Sequence, residues 1–224
     1  MAILAEIGVS KMSGKLTDIG AINTNTLTNS FCLKRYEKAK IANQKAGKTV
    51  DICGVCYSVN MLKTFRKSAV PAFQRNTSLA ERILKPSEIP NINQAFFRFS
   101  GHGELITDQT INGKTIKFGR FTHIENLCLI AERNDHCTFA LWTKRTDIIK
   151  PFFKKRKKPA NLILVWSNPK VDKIISDPPP YFDKVFNNIS RDSHITDNCS
   201  GQKCRDCLKC YKKGGTDVII EKIK

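Results

Sequence analysis

Four thiols fall within twelve residues in Cys199-Ser-Gly-Gln-Lys-Cys204-Arg-Asp-Cys207-Leu-Lys-Cys210, flanked by polar chain. Thiolates are soft ligands suited to zinc or iron-sulfur clusters, and two-residue spacers let consecutive sulfurs converge on one centre. The alternative is a set of reduced structural or redox thiols. A second pair, Cys53-Gly-Val-Cys56, has the same spacing, and both arrays run on into tyrosine, as Cys56-Tyr57 and Cys210-Tyr211. A lone Cys-x-x-Cys also occurs in thioredoxin-like sites, so this pair is ambiguous by itself. Cys32, twenty-one positions before Cys53, is a candidate to complete a three-thiol set. The spacing separates neither zinc from iron nor one shared centre from a three-thiol site plus a four-thiol site. Cys128 and Cys137 read as packing residues. The first falls with Ile124, Leu127 and Ala131 on an apolar helical face, the second opens a core strand, and free cysteine packs well in cores.

These ligands need a scaffold, and hydrophobic patterning supplies one. Leu33 to Ala46 reads as a Lys-rich helix ended by Gly47, and the stretch from Ser58 to about Arg75 has apolar residues at helical spacing. Ala95–Phe99, Thr138–Trp142 and Asn161–Trp166 read as strands. His123–Arg133 and Asp147 to about Lys155 read as helices between or after them. Short strands at Phe182–Phe186 and Asp217–Ile220 follow. Buried strands alternating with helices predict a parallel α/β sheet in a single domain over residues 1–224, with cysteine-containing segments at both ends. The opening third, including Asn23-Thr-Asn-Thr26, reads as loop because of its turn-forming residues.

In such a sheet the carboxyl ends of the strands form the ligand crevice. Ser100-Gly-His-Gly-Glu104 ends one strand, Thr143-Lys144-Arg145 the next and Ser167-Asn168-Pro169 the third, so one rim collects Glu, Lys/Arg and Ser/Asn. Gly103 would let backbone approach a ligand and Glu104 would accept from an amine, the alternative being an ordinary glycine turn with a solvated Glu. His102 is a possible acid, base or ligand, or simply a loop histidine.

No run reaches the ~20 apolar residues of a membrane span, and Glu6 interrupts the N-terminal stretch where a signal peptide wants an unbroken apolar run, so a cytoplasmic protein without a membrane partner is expected. In a reducing compartment close cysteine pairs point to metal or redox chemistry rather than disulfides. With 38 Lys and Arg against 20 Asp and Glu, the formal charge of +18 favours nucleic acid or an acidic partner. The run Lys154-Lys-Arg-Lys-Lys158 would hold phosphates, or equally form a solvated helix end.

Several stretches together resemble the bacteriophage gene 88 protein family: Lys11-Met-Ser-Gly-Lys15, Asn29-Ser-Phe-Cys32, Cys53-Gly-Val-Cys56-Tyr57-Ser58, Phe97-Arg-Phe99 with Gly103-Glu104, Leu141-Trp-Thr-Lys-Arg145, Lys158-Pro-Ala-Asn-Leu162, Phe182-Asp-Lys-Val-Phe186 and the terminal cysteine array. That likeness implies a phage protein working in the host bacterial cytoplasm. More distantly, the order of parts is similar to radical S-adenosylmethionine enzymes. These are partial (β/α) barrels with a three-cysteine, four-iron (4Fe-4S) cluster after the first strand and a Gly-Gly-Glu turn after the second. The resemblance assigns the cluster to Cys32, Cys53 and Cys56, the cofactor contact to Gly103 and Glu104, and an auxiliary cluster to Cys199, Cys204, Cys207 and Cys210. The chain departs from that pattern in the twenty residues between Cys32 and Cys53, where those enzymes have three, and in His102 in place of a glycine. The expectation is an iron-sulfur protein, divergent and of unknown substrate. The alternative is a non-catalytic protein with zinc-stapled loops that binds nucleic acid or an acidic host protein.

Overall fold

The computed structural model describes residues 7–215 and 217–223; the reading of the first six residues lies outside the described residues. Its centre is a seven-stranded sheet in the order β1-β2-β3-β6-β7-β8-β9. β2 (Gly20–Ile22), β3 (Phe96–Phe99), β6 (Thr138–Thr143), β7 (Leu162–Val171), β8 (Lys184–Ile189) and β9 (Val218–Lys222) are all parallel, and β1 (Val9–Lys11) adds an antiparallel edge. A small hairpin of β4 (Asp108–Ile111) and β5 (Lys114–Lys117) stands apart. The parallel α/β sheet is therefore present. A closed barrel is not, since no pairing among the described residues joins β9 back to β1. The two edges are nonetheless linked by side chains, because Lys15, just beyond β1, pairs with Glu221 of β9.

Alternation along the strands gives the sheet two different faces. Phe97, Phe99, Phe139, Leu141, Leu162 and Leu164 point to one core, packed by α4 (Thr122–Arg133) and α5 (Thr146–Phe153). Cys128 and Cys137 are wholly buried in this core, as expected, and burial pushes each thiol up to about 12. On the opposite face Ala140, Trp142, Ile163 and Val165 pack beneath Tyr211, with Cys204, Leu208 and Cys210 partly buried beside them. The C-terminal cysteine array is thus the cover of the second face.

α1 (Ser30–Ala46) starts three residues before the expected helix and ends as expected at Gly47, whose φ is 62°. Its start is fixed by the Asn29 side chain, which accepts from the backbone N–H groups of Phe31 and Cys32. The apolar run from Ser58 to Arg75 is not one helix. α2 (Tyr57–Lys63) stops, and α3 (Val70–Arg75) restarts with Pro71 in its first turn, because proline is tolerated there and not in a helix interior. β8 lies two to three residues later than expected. The Asn23-Thr-Asn-Thr26 run, expected as surface loop, is buried. In the Lys154–Lys158 run, Arg156 pairs with Glu125 and Glu132, and Lys158 with Asp183. Arg156 therefore ties the end of α5 to α4, and Lys158 ties the following loop to the residue before β8.

Asn126 of α4 is fully buried and holds the 79–84 segment by three backbone bonds, accepting from Leu84 N–H (2.8 Å) and donating to the carbonyls of Leu79 (2.8 Å) and Arg82 (2.7 Å). Leaving a buried polar group unpaired costs about 1–3 kcal/mol. Asn126→Ala is therefore expected to lower the urea-unfolding free energy by about 3 kcal/mol or more. A loss under about 1 kcal/mol would show that these bonds are replaceable by water.

Candidate functional site

The carboxyl ends of β2, β3 and β6 meet at Glu104. This carboxylate is 3% exposed and accepts from the N–H groups of Leu105 (2.9 Å) and Lys144 (2.8 Å) and from the Thr143 hydroxyl. A buried charge is tolerated only when so paired. The Glu104 carbonyl in turn accepts from the Asn29 amide (3.0 Å) and the Thr24 hydroxyl (3.4 Å). Asn23 and Thr24 also bind the backbone of His102, at 2.8 and 3.1 Å. The polar run that looked like loop is the lashing between the first two strand ends.

Gly103 has a φ of +86°, and a Cβ there would lie 2.1 Å from the Thr24 hydroxyl oxygen and 2.6 Å from its carbonyl oxygen. Its glycine is required by this packing of chain on chain. His102 stacks between Tyr57 (5.7 Å) and Phe73 (5.4 Å). Burial, then Arg98 and Arg66, lower its pKa to about 4.

Cys32 occupies the first turn of α1, and the chain returns to it after the helix. Asn43 holds the backbone of Val50 and Asp51. Asp51 then caps the next turn by accepting from Cys53 N–H (3.1 Å), while Arg35 (2.8 Å) and Lys170 (3.6 Å) balance its charge. Gly54 lies so close to α1 that a Cβ would stand 2.9 Å from the Ala39 carbonyl. The long gap between Cys32 and Cys53 is thus a helix and its return, and the three thiols share one neighbourhood. Burial raises the Cys32 pKa well above its ordinary value, and Glu104, Cys56 and Cys53 push it further while Lys144 opposes. Burial also raises Cys53, against Lys144. For Lys144 burial pulls downward, but Cys53, Glu104, Cys56 and Cys32 together raise its pKa. One ammonium therefore stands among three thiols and a carboxylate, and it donates to the Ser167 hydroxyl at 3.1 Å. Sequence reasoning placed Lys144 on the rim but not among the cysteines. Its rim neighbours are committed elsewhere: Arg145 to Asp147 and the Leu105 carbonyl, Asn168 to Asn187 and the Lys173 carbonyl.

The second thiol group forms on the covered face of the sheet. Cys199 N–H donates to the Ile220 carbonyl of β9, Cys204 and Cys207 bound the single turn α6 (Cys204–Cys207), and Leu208 reverses the chain at φ 53°. Cys199, Cys204, Cys207 and Cys210 line a hollow of about 20 Å³ with Leu208, Tyr211 and Ile219. Burial pushes Cys210 up to about 12 and raises Cys199 and Cys204, with Lys15 opposing at both. The Lys15 ammonium lies 3.5 Å from Cys199 Sγ. Above Tyr211, Arg98 lies 3.8 Å over the Trp142 ring. Cys56 and Cys53 act on Cys32, while Cys199, Cys204 and Cys207 act on Cys210, so the thiols fall into an N-terminal and a C-terminal group.

Neither group is a finished single-ion site. Among the described residues no three His, Cys, Asp or Glu are close enough to hold one metal ion. The cysteine-rich metal-binding loops expected from the sequence are therefore not found as metal sites among the described residues. No family model, curated protein or solved structure matches the chain.

The turn bearing Glu104 is also pinned by His123, whose Nδ1 accepts from Ile106 N–H at 3.0 Å and whose pKa burial and Arg145 lower to about 4. The unfolded chain binds this proton near pH 6.5 and the native one only near pH 4, so stability is present above about pH 6.5 and lost as pH falls towards about 4. The loss attributable to His123 is about 3 kcal/mol. Urea unfolding at neutral and acidic pH should show this drop in the wild type and a smaller one in His123→Asn; equal drops in the two proteins would remove His123 as its source.

Proposed function

We propose that the chain is an iron-sulfur protein in which Cys32, Cys53 and Cys56 hold one four-iron cluster. Cys199, Cys204, Cys207 and Cys210 hold a second, on a partial-barrel-like scaffold. The observation that carries this reading is the gathering of three thiols around Lys144 and Glu104 at the carboxyl ends of parallel strands, where α/β sheets place their ligands. Such a cluster would be held by several sulfurs, each binding a different iron, so the thiols need not converge on one point as they must around zinc.

Three protein thiols leave one iron of the first cluster without a protein ligand, the position at which S-adenosylmethionine would bind in the enzymes this chain resembles. Such a cluster, when bound, supplies one electron for reductive cleavage of that cofactor. The residues around it have definable tasks. Lys144 offsets the negative charge of the thiolates and offers an N–H to a carboxylate. Glu104 Oε2, which takes one backbone bond in the structure, keeps a lone pair for an amine. Gly103 packs the turn against Thr24, and the resemblance assigns its backbone to the cofactor contact. The second group, with four thiols and an apolar lining, has no vacancy for a substrate and suits electron relay or stapling of the C-terminal segment.

Protein purified without oxygen should be brown and contain iron and acid-labile sulfide in equal amounts. Cys32→Ser with Cys56→Ser should remove about half of both, and Cys204→Ser with Cys207→Ser the other half. Colourless protein holding stoichiometric zinc and no sulfide would contradict the reading.

A further inference from the structure

The surface that carries Cys53 and Cys56 has an excess of charge that its own fold does not use. Residues 30–75 contain ten Lys and Arg against Glu37 and Asp51 alone, a surplus of eight in a fifth of the chain. Lys34, Lys38, Lys40, Lys45, Lys48, Lys63 and Lys67 are all exposed. Among the described residues Arg35 is the cation of this segment that pairs with an acid. Lys34 and Lys38 are four apart on α1, a spacing at which like charges repel and cost helix stability. α1 buries only Ser30 and Ala39 of its seventeen residues, so most of this helix faces outward. A polyanion would relieve that repulsion.

Aromatic rings stand on the same surface. Tyr57, directly after Cys56, is 61% exposed with one face against His102, and Phe65 just beyond α2 is 70% exposed. Tyr57, Asn60 and Lys63 form the exposed stripe of α2. Lys63 reaches across to α1, its ammonium 5.7 Å over the Tyr36 ring. Gly54 seats the cysteine turn against Ala39 of α1. α1 therefore meets the cysteine turn at Gly54 and α2 at Lys63, and the segment presents exposed cations and rings next to Cys53 and Cys56 in the chain. Exposed rings among lysines are the combination that binds single strands, with phosphates held by charge and bases stacked on aromatic faces. A duplex keeps its bases stacked internally, and an acidic protein offers no row of unstacked bases.

We propose that α1, the Cys53–Cys56 turn and α2 form a docking surface for single-stranded nucleic acid, and that the substrate of the three-thiol site is a nucleotide of that strand. The docking surface stands on charge and exposure; the substrate assignment rests on the cluster reading above.

Fluorescence anisotropy with a labelled mixed-sequence single strand and its duplex tests the surface, using iron-loaded and iron-free protein and polyglutamate as competitor. The single strand should bind more tightly than the duplex and resist polyglutamate of equal charge. Tyr57→Ala with Phe65→Ala should weaken it about tenfold or more. Replacing Lys34, Lys38 and Lys40 by Gln should lower the slope of log affinity against log salt by about 2. In iron-free protein the bound strand should shield Cys53 and Cys56 from maleimide alkylation and leave the rate at Cys199 unchanged. Equal duplex binding, full displacement by polyglutamate, or an unchanged affinity in the aromatic double variant would overturn the surface. Binding without shielding would overturn its placement at the thiols. Failure of the cluster reading alone would leave the iron-free protein binding and shielded as described.

Discussion

The buried carboxylate of Glu104 is the constraint around which the site is organised. A charge at 3% exposure must be met by donors, and the chain brings them from separate places: Leu105 in its own turn and Thr143 and Lys144 at the end of β6. The carbonyl of the same residue gathers Asn29 and Thr24 from the end of β2. Three strand ends are thereby held in one arrangement. Because Asn29 is also the cap of α1, the position of Cys32 follows from this network, and because Lys144 is anchored by its own N–H, its ammonium is delivered among the thiols. One buried polar node thus sets both the ligand geometry and the local charge.

The two thiol groups divide the work of the fold between them. The first sits at the strand ends, beside a cation, a hydroxyl and exposed rings, and so has chemistry within reach. The second is packed under Tyr211, Leu208 and Ile219 on the sheet's other face, beside Lys15 and Arg98, and its hollow of about 20 Å³ has room for about one water, so a cluster would have to part the Cys199–Cys210 loop. Burial raises the pKa of Cys32, Cys53, Cys199, Cys204 and Cys210 and so favours their protonated form, and a metal must displace those protons to bind. The raised pKa values and a metal-binding role are therefore compatible, with affinity that strengthens as pH rises.

Sequence patterning made much of this legible where a signal was local. Three core strands, α4 and α5 follow from apolar periodicity, α1 from a Lys-rich run that ends at Gly47, and the packing role of Cys128 and Cys137 from their apolar neighbours. β2 was not legible: Gly20-Ala-Ile22 is three residues long, and the Asn and Thr residues that follow it are buried against partners distant in sequence, His102 and Glu104 for Asn23 and Thr24, Gln74 for Asn25 and Ser58 for Thr26. The β4–β5 hairpin had a readable signal in Asn112-Gly113, both at positive φ (49° and 76°) as a tight turn between strands requires. The cysteines themselves were visible from spacing, but not the helical detour that brings Cys53 back to Cys32, which depends on Gly54 meeting Ala39. Lys144 looked like an ordinary strand-end cation because its thiol neighbours come from a distant stretch of chain.

The account turns on whether gathered thiols hold a polynuclear cluster. X-ray absorption at the metal edge of anaerobically prepared protein tests this most directly, because backscattering reports the atoms around each metal. A sulfur shell together with a short iron–iron shell is the predicted result. A sulfur shell around isolated zinc or iron, with no second metal, would contradict it.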